Sequence, residues 1–411
     1  MSALQWQSLA GMGALCLLAW ALGGCKRGVS PRVVVAGLAS VLVLAALLLN
    51  IAWLRAGFGL IGQGVDALAR ATRAGTSLVF GYLGGAPLPF AEPFPGAGFI
   101  LFFQALPLVL VVGALSAVLF HWGVLGFLVR VLARGLRGVF GLGGASGFGV
   151  GANVFVGMVE APLMIRPWLA RMNTTELFVV MVAGMATIAG NMFVVYALVI
   201  APVVPDAAGQ LLTASLISAP AAVLVALLMR PGETATTAEE APVLRYSSTM
   251  EALVQGIGNG LQLMLGVMAA LIVFVALVAL ANEVLQPLTG LTLEQMAGVL
   301  FRPLAWAMGV APEHAARAGE LLGVKVVVNE FVSYLALAQE GEAMDPRTRL
   351  ILAYAMCGFA NFGSVGIMLG GMSAMVPERR AEIARLGFPA LAAGTIACCL
   401  TGAAVGVLTA P

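Results

Sequence analysis

Residues 329–334 read Asn329-Glu330-Phe331-Val332-Ser333-Tyr334, and residues 357–364 read Cys357-Gly358-Phe359-Ala360-Asn361-Phe362-Gly363-Ser364. Asn361 follows Glu330 by 31 positions. The same interval joins Glu160, in Gly157-Met158-Val159-Glu160-Ala161-Pro162-Leu163, to Asn191, just after Gly184-Met185-Ala186-Thr187-Ile188-Ala189-Gly190. A charge at membrane depth costs about 2.5–3.5 kcal/mol on insertion scales, so a carboxylate held there points to function. Segments 148–170 and 313–340 carry Glu160 and Glu330, and neither makes a span. The first is broken by Gly, Pro and charge, the second chiefly by charge. Each is expected to be a re-entrant helical hairpin, a form allowed only where protein or a water-filled cavity surrounds it. The small and polar residues around Asn191 and Asn361 predict helices interrupted in mid-span, with backbone groups open to a ligand.

The rest of the sequence fits that reading. Of 411 residues, 61% are hydrophobic and 10% charged. Soluble domains carry about 45–50% apolar and about 25% charged residues, so the solvent of this chain is lipid. Apolar runs long enough to cross a bilayer fall near 6–23, 33–54, 98–120, 175–200, 209–229, 257–281, 349–374 and 388–409. The fold class is therefore an all-α polytopic membrane protein with eight spans, two opposed hairpins and interfacial helices. Residues 57–86, 123–140 and 283–312 mix charge into apolar sequence and predict helices lying in the interface. In the second of them Leu125, Leu128, Leu132 and Leu136 recur at helical spacing. Pro231-Gly232 opens a polar linker that carries Glu233, Glu239 and Glu240. Four regions follow: 1–97, N-terminal spans and an interfacial segment; 98–230, a scaffold span with the first hairpin and broken helix; 231–256, the linker; and 257–411, a scaffold span with the second hairpin and broken helix.

Lys and Arg set the orientation. Placing 24–32 in the cytoplasm puts thirteen basic residues inside and seven outside, with Lys325 in a membrane-depth segment and uncounted. Both termini then lie outside, and the two hairpins enter from opposite faces. Two units of opposite orientation are the inverted-repeat signature of a secondary transporter, with substrate near the midplane.

Other classes fall away. Net charge is +2, too weak a field to hold nucleic acid. His121 and His314 stand in no metal-ligand spacing. The five cysteines form no C-x-x-C pair and read as buried small residues or, for Cys25, as part of an uncleaved first span's end. A channel needs continuous polar spans, whereas the polar groups here cluster at two hairpins and two breaks. An intramembrane enzyme needs a nucleophile and base or a metal cluster, and no such arrangement is visible. No enzymatic activity and no cofactor are expected.

Over roughly residues 98–408 these strings resemble the concentrative nucleoside transporter family, most specifically in Asn329-Glu330-Phe331-Val332 and Cys357-Gly358-Phe359-Ala360-Asn361-Phe362. The resemblance implies eight spans, two opposed hairpins, a homotrimer in the bacterial inner membrane, and cation-driven uptake of nucleosides through each protomer. A ribose offers vicinal hydroxyls; a carboxylate accepts from both, and an amide supplies a donor and an acceptor. Glu330, Asn361 and Ser364 match positions that contact ribose in the family, and Phe359 matches one that packs on the ligand. The resemblance also carries Gly157, Glu160 and Met192 to the substrate site. The family's sodium position maps onto the Asn153 side chain, backbone at Val156 and Ile188, and the hydroxyl of Thr187 where Ser is usual. Proton coupling through Glu160 or Glu330 stands beside sodium as the alternative, because some family members use protons.

At one point the chain departs from the family. The common pattern is Gly-Gln-Thr-Glu, with the Gln and Thr at the nucleobase; here Met158 and Val159 stand in their place. The sugar end is intact and the base end has lost two hydrogen-bonding groups. Met adapts to aromatic faces, so the base is expected to be held more by shape and stacking. A diverged small polar substrate is the competing expectation.

Overall fold

The computed structural model describes the chain apart from residues 27, 93–96, 236–245 and 411, and apart from the side chains of 52–56, 58 and 191. Arg27 and Arg245, counted above among the thirteen inside, Glu239 and Glu240 of the linker, and the side chains of Asn191 and of Arg55, counted among the seven outside, lie outside the described residues. Every element found is helical. In chain order these are α1 (Ala3–Leu22), α2 (Pro31–Asn50), α3 (Ala52–Phe80), α4 (Leu101–Gln104), α5 (Leu108–His121), α6 (Val124–Phe140) and α7 (Gly144–Asn153). Next come α8 (Glu160–Met164), α9 (Arg166–Leu169), α10 (Thr174–Ala186), α11 (Gly190–Ile200), α12 (Ala207–Met229) and α13 (Thr249–Thr289). The chain closes with α14 (Leu293–Ala307), α15 (Ala315–Val327), α16 (Glu330–Glu340), α17 (Pro346–Met356), α18 (Phe362–Met375) and α19 (Arg380–Leu408).

Among the described residues five stretches are long and apolar enough to cross a membrane: Pro31–Asn50, Leu101–His121, Ala207–Met229, Thr249–Thr289 and Pro377–Leu408. The runs at 175–200 and 349–374 are each split in two, at 187–189 and 357–361. The sequence read both as interrupted, and so they are. Helix starts follow local chemistry. Asn173 and Thr292 close capping boxes with Glu176 and Gln295, and Asp345 caps α17 ahead of Pro346.

One detail differs from the expectations. α13 begins at Thr249, inside the stretch assigned to the linker, because the Ser248 side chain accepts from the backbone N–H of Glu251 and caps it there. At 41 residues it is roughly 60 Å long, about twice a bilayer core. On α6 the buried face carries Gly126, Val129, Ala133, Leu136 and Phe140, with Leu125 and Leu132 half-buried beside it, while Leu128 is exposed. Small residues on that side let α7 approach, and the carbonyl of Val129 lies 3.0 Å from where a Cβ on Gly151 would sit.

The two breaks meet. The N–H of Phe359 donates to the carbonyl of Thr187 at 3.3 Å, joining the interruption of α10/α11 to that of α17/α18. α19 backs both, with the Cys398 thiol 3.6 Å from the carbonyl of Ala186 and 3.8 Å from that of Cys357. A Cβ at Gly358 would stand 2.8 Å from the Ala186 carbonyl oxygen, so this crossing admits no side chain. The tip of the first helix pair is fastened in the same way: Gly190 N–H donates to the Phe155 carbonyl at 3.1 Å.

Away from the breaks, a buried guanidinium ties the periphery together. Arg347 donates to the carbonyls of Gly309, Gly406 (2.8 Å) and Thr409 (3.2 Å) and to Ser8 Oγ (2.9 Å), linking α1, α17, α19 and the end of α14. Its partners cluster at helix C-termini, where a cation is favoured. Arg347→Met should therefore strand several buried acceptors, at about 1–3 kcal/mol each. We expect a clear fall in thermal unfolding temperature in detergent.

Candidate substrate and cation sites

Glu330 is placed by an Asx cap. Asn329 is extended, and its Oδ1 accepts from Val332 N–H at 2.9 Å, so Glu330 becomes the first residue of α16. The second broken helix uses the same device: Asn361 Oδ1 accepts from Ser364 N–H at 2.7 Å. The cap consumes the amide oxygen and leaves the amide nitrogen free to point elsewhere. Asn361 Nδ2 donates to Glu330 Oε2 at 2.8 Å, and the Tyr196 hydroxyl donates to Oε1 at 2.6 Å. All three side chains are buried. Hydrogen bonds to an ionised acceptor are the strong ones, so the carboxylate is held in one position. Each carboxylate oxygen has lone pairs for more than one bond, so both keep capacity beyond these donors, and Ser364 is buried in the first turn of α18.

Tyr196 has no counterpart in the sequence reading. It sits on α11, in the first half, and reaches the hairpin of the second, with its ring 5.1 Å from that of Tyr334. Its one sequence signal is a hydroxyl in the otherwise apolar run Met192–Ile200, which no spacing rule picks out.

The first unit's residues are distributed differently. Glu160 opens α8 and lines a cavity of about 80 Å³ with Ser116, Tyr246 and Asn259. Its walls are the tip residues Phe155 and Val156 with α5 and α13, and Glu330, Asn361, Phe359 and Ser364 are not among them. A side chain at Gly157 would collide with the Glu160 carboxylate. Met158 is buried in the space that Gly184 leaves on α10, and Val159 packs at Gly371 on α18. Phe359 is half-buried at the crossing, and Met192 is buried on α11.

Asn153 and Thr187 lie side by side. Asn153 ends α7 and Thr187 caps the end of α10, so two helix C-termini face one spot. The Thr187 hydroxyl has the Ala183 carbonyl at 2.8 Å and the Asn153 carbonyl at 3.0 Å as acceptors. Asn153 Nδ2 donates to the Gly149 carbonyl at 3.0 Å, whereas its Oδ1 is buried with no hydrogen-bond partner among the described residues. Val156 stands in the turn after α7 and Ile188 follows Thr187 in the break. An unpartnered oxygen at the negative ends of two helices is chemistry that suits a cation.

Comparison with known proteins bears on the whole chain. The family model described as Na+ dependent nucleoside transporter C-terminus matches residues 210–406, and the corresponding N-terminus model matches residues 10–83. An uncharacterized transporter of Haemophilus influenzae is 35% identical, over 97% of this chain and 97% of its own. The nucleoside permease NupC of Helicobacter pylori is 31% identical, over 95% of this chain and 94% of its own. Among solved structures, CNTnw in an inward-facing substrate-bound state superposes with a TM-score of 0.90 at 34% identity, covering 98% of this chain and 99% of that one. With two crossed helix breaks and a buried carboxylate–amide pair in the same frame, the chain belongs to the concentrative nucleoside transporter family.

Proposed function

We propose that the protein takes up nucleosides across the bacterial inner membrane by symport with sodium, in an alternating-access cycle, as a homotrimer with both termini outside. The observation that carries the substrate reading is the buried Glu330–Asn361 pair at the crossing of the two breaks. A ribose diol donates to Glu330 and accepts from Asn361 or the Ser364 hydroxyl, and Phe359 at the same crossing offers an aromatic face. Glu160, on its own cavity wall, serves the first unit's side of the path. Gly157 leaves room for that carboxylate, and Met192 lines α11 beside the break.

The coupling ion follows from the kind of atoms at Asn153 and Thr187. An amide oxygen, a hydroxyl and backbone carbonyls at Val156 and Ile188 are neutral oxygens, which ligate a hard metal ion but do not hold a proton at neutral pH. With no carboxylate in the set, a monovalent ion fits its charge better than calcium, which recruits Asp and Glu. This favours sodium over the proton-coupled alternative.

At the base end Met158 and Val159 are anchored by packing, so neither pairs with a pyrimidine edge. A buried edge left unpaired loses about 1–3 kcal/mol, roughly five- to a hundredfold in affinity. Purines regain part of that through stacking area against Met158 and Phe359. The test is a competition panel of nucleosides against labelled uptake in proteoliposomes, with and without sodium. We expect purine nucleosides to compete at least as well as uridine. Met158→Gln with Val159→Thr should shift preference toward pyrimidines. Uridine-selective uptake that the double change leaves untouched would overturn the base assignment, and no competition by any nucleoside would overturn the substrate itself.

A further inference from the structure

A cavity of about 290 Å³ opens where three helices meet: the first residue of α10 (Thr174), the end of α12 (Arg230) and the first turns of α19 (Glu382, Arg385 and Leu386). Two guanidiniums and one carboxylate line it, and the carboxylate is already engaged. Glu382 Oε1 accepts from the Thr174 hydroxyl at 2.6 Å, and Oε2 pairs with Arg379 at 2.8 Å. Arg379 in turn donates to the carbonyls of Leu169 and Met172, both at 2.6 Å, which fastens the foot of the first hairpin to α19. The two arginines of the cavity have no such partner. Neither Arg230 nor Arg385 forms an ion pair or a side-chain hydrogen bond among the described residues. Arg230 is half-buried, with its guanidinium 5.5 Å from the ring centroid of the buried Phe178. Stacking of that kind holds the group in place and leaves its N–H donors unused. The N-terminal ends of α10 and α19 add partial positive charge at the same corner. Unpaired arginine forks beside two positive helix ends suit the oxygens of a phosphate.

The course of α19 tells which kind of phosphate. The stretch Pro377–Leu408 is long and apolar enough to cross a membrane, so the helix runs from this corner into the bilayer. Phe388 follows Arg385 by three positions, on the same side of the helix and about 4.5 Å farther in. It is 63% exposed and meets Phe362, 46% exposed, in a T-shaped pair with centroids 6.3 Å apart. A soluble phosphate leaves that aromatic face unused. A phospholipid uses both, with its head group at the arginines and its chains along the rings.

We propose that this cavity binds the phosphate of an anionic phospholipid, with Arg230 and Arg385 holding its oxygens and Phe388 flanking an acyl chain. The orientation proposed above puts the lipid in the cytoplasmic leaflet, but the chemistry of the site does not depend on that. Bound there, the lipid ties together α10, α12 and α19 beside the foot of the first hairpin.

The probe is phosphatidylglycerol, titrated into the detergent-purified protein, with thermal unfolding as the readout and native mass spectrometry to count retained lipid. Wild type should unfold at a higher temperature as phosphatidylglycerol is added, whereas phosphatidylcholine with the same chains should give a much smaller shift. Arg230→Gln with Arg385→Gln should raise the half-saturating concentration of phosphatidylglycerol by about tenfold or more, because two charge-assisted contacts are lost. Lysine at both positions restores the charge without the fork and should fall between. Arg385→Gln alone guards against a folding defect: the side chain is exposed and has no partner to lose, yet the variant should still bind phosphatidylglycerol more weakly. Inorganic phosphate forms the second arm. Stabilisation by inorganic phosphate at the concentrations where the lipid acts would make this a site for a soluble anion and overturn the lipid assignment. Equal shifts from the two lipids, or an unchanged titration in Arg385→Gln and in the double glutamine variant, would overturn the site itself. These readouts need no transport, so a failure here is told apart from a failure of the uptake proposed above.

Discussion

Glu330→Gln should cut nucleoside uptake by about tenfold or more while the protein remains folded. The change keeps the shape of the side chain and removes its charge. Hydrogen bonds to a charged group contribute about 1.5–3 kcal/mol against about 1 kcal/mol for a neutral one, so even one weakened sugar contact approaches a factor of ten. The geometry adds a second loss. Glu330 now accepts from two protein donors, Asn361 Nδ2 and the Tyr196 hydroxyl. A Gln has one acceptor oxygen, which must stay on Asn361 because that amide nitrogen only donates. Its own nitrogen then faces Tyr196, whose hydroxyl can turn and accept. The scaffold therefore survives with both bonds made, but the surface offered to a diol has exchanged an acceptor for a donor. Tyr196→Phe, which removes one donor and leaves the charge, should cost less than Glu330→Gln. Initial rates in proteoliposomes, with size-exclusion profiles as the control for folding, decide the matter. Equal uptake by Glu330→Gln and wild type would take Glu330 out of the sugar site.

Much of this site could be read from the chain because its chemistry is expensive. A carboxylate, an amide and a hydroxyl in apolar sequence stand out against their surroundings, and the repeated 31-residue interval from Glu to Asn ties them into two units. The breaks at 187–189 and 357–361 were legible for the same reason, since glycine and polar residues in mid-span have few other uses. What escaped was set by packing. Tyr196 carries a common buried ring, and nothing in Met192–Ile200 announces that its hydroxyl reaches into the other half of the molecule. On α6 the leucine spacing marks apolarity without saying whether lipid or protein receives it: Leu136 is buried and Leu128 exposed. In a membrane the side that meets another helix is often the one with small residues, as Gly126 and Ala133 show. The roles of Met158 and Val159 were visible as a departure from a pattern, whereas their anchoring at Gly184 and Gly371 needed the fold.

Removing the oxygens at the end of α7 and α10 should act on the ion before it acts on the sugar. Thr187→Val deletes a hydroxyl at nearly constant volume, and Asn153→Ala deletes the buried Oδ1 that has no protein partner. The hydroxyl of Thr187 gives its proton to one of two carbonyls, of Ala183 or Asn153, so its lone pairs remain to face a cation. Losing one ligand of a small set costs about 1–3 kcal/mol, which raises the sodium concentration for half-maximal uptake by roughly five- to a hundredfold. Asn153→Ala should have the larger effect. It also strips the donor from the Gly149 carbonyl, which loosens the end of α7 where two helix dipoles converge. At saturating sodium Thr187→Val should approach the wild-type rate, because Glu330, Asn361 and Tyr196 are untouched. Sodium titrations of labelled uptake at fixed substrate separate the two effects: a displaced curve with a preserved plateau is the signature of an ion ligand. A lowered plateau with an unmoved midpoint would assign Thr187 to the crossing of the breaks, through its carbonyl bond to Phe359, and leave the cation without this hydroxyl. Wild-type uptake that follows a proton gradient and ignores sodium would remove Asn153 and Thr187 from the coupling site together.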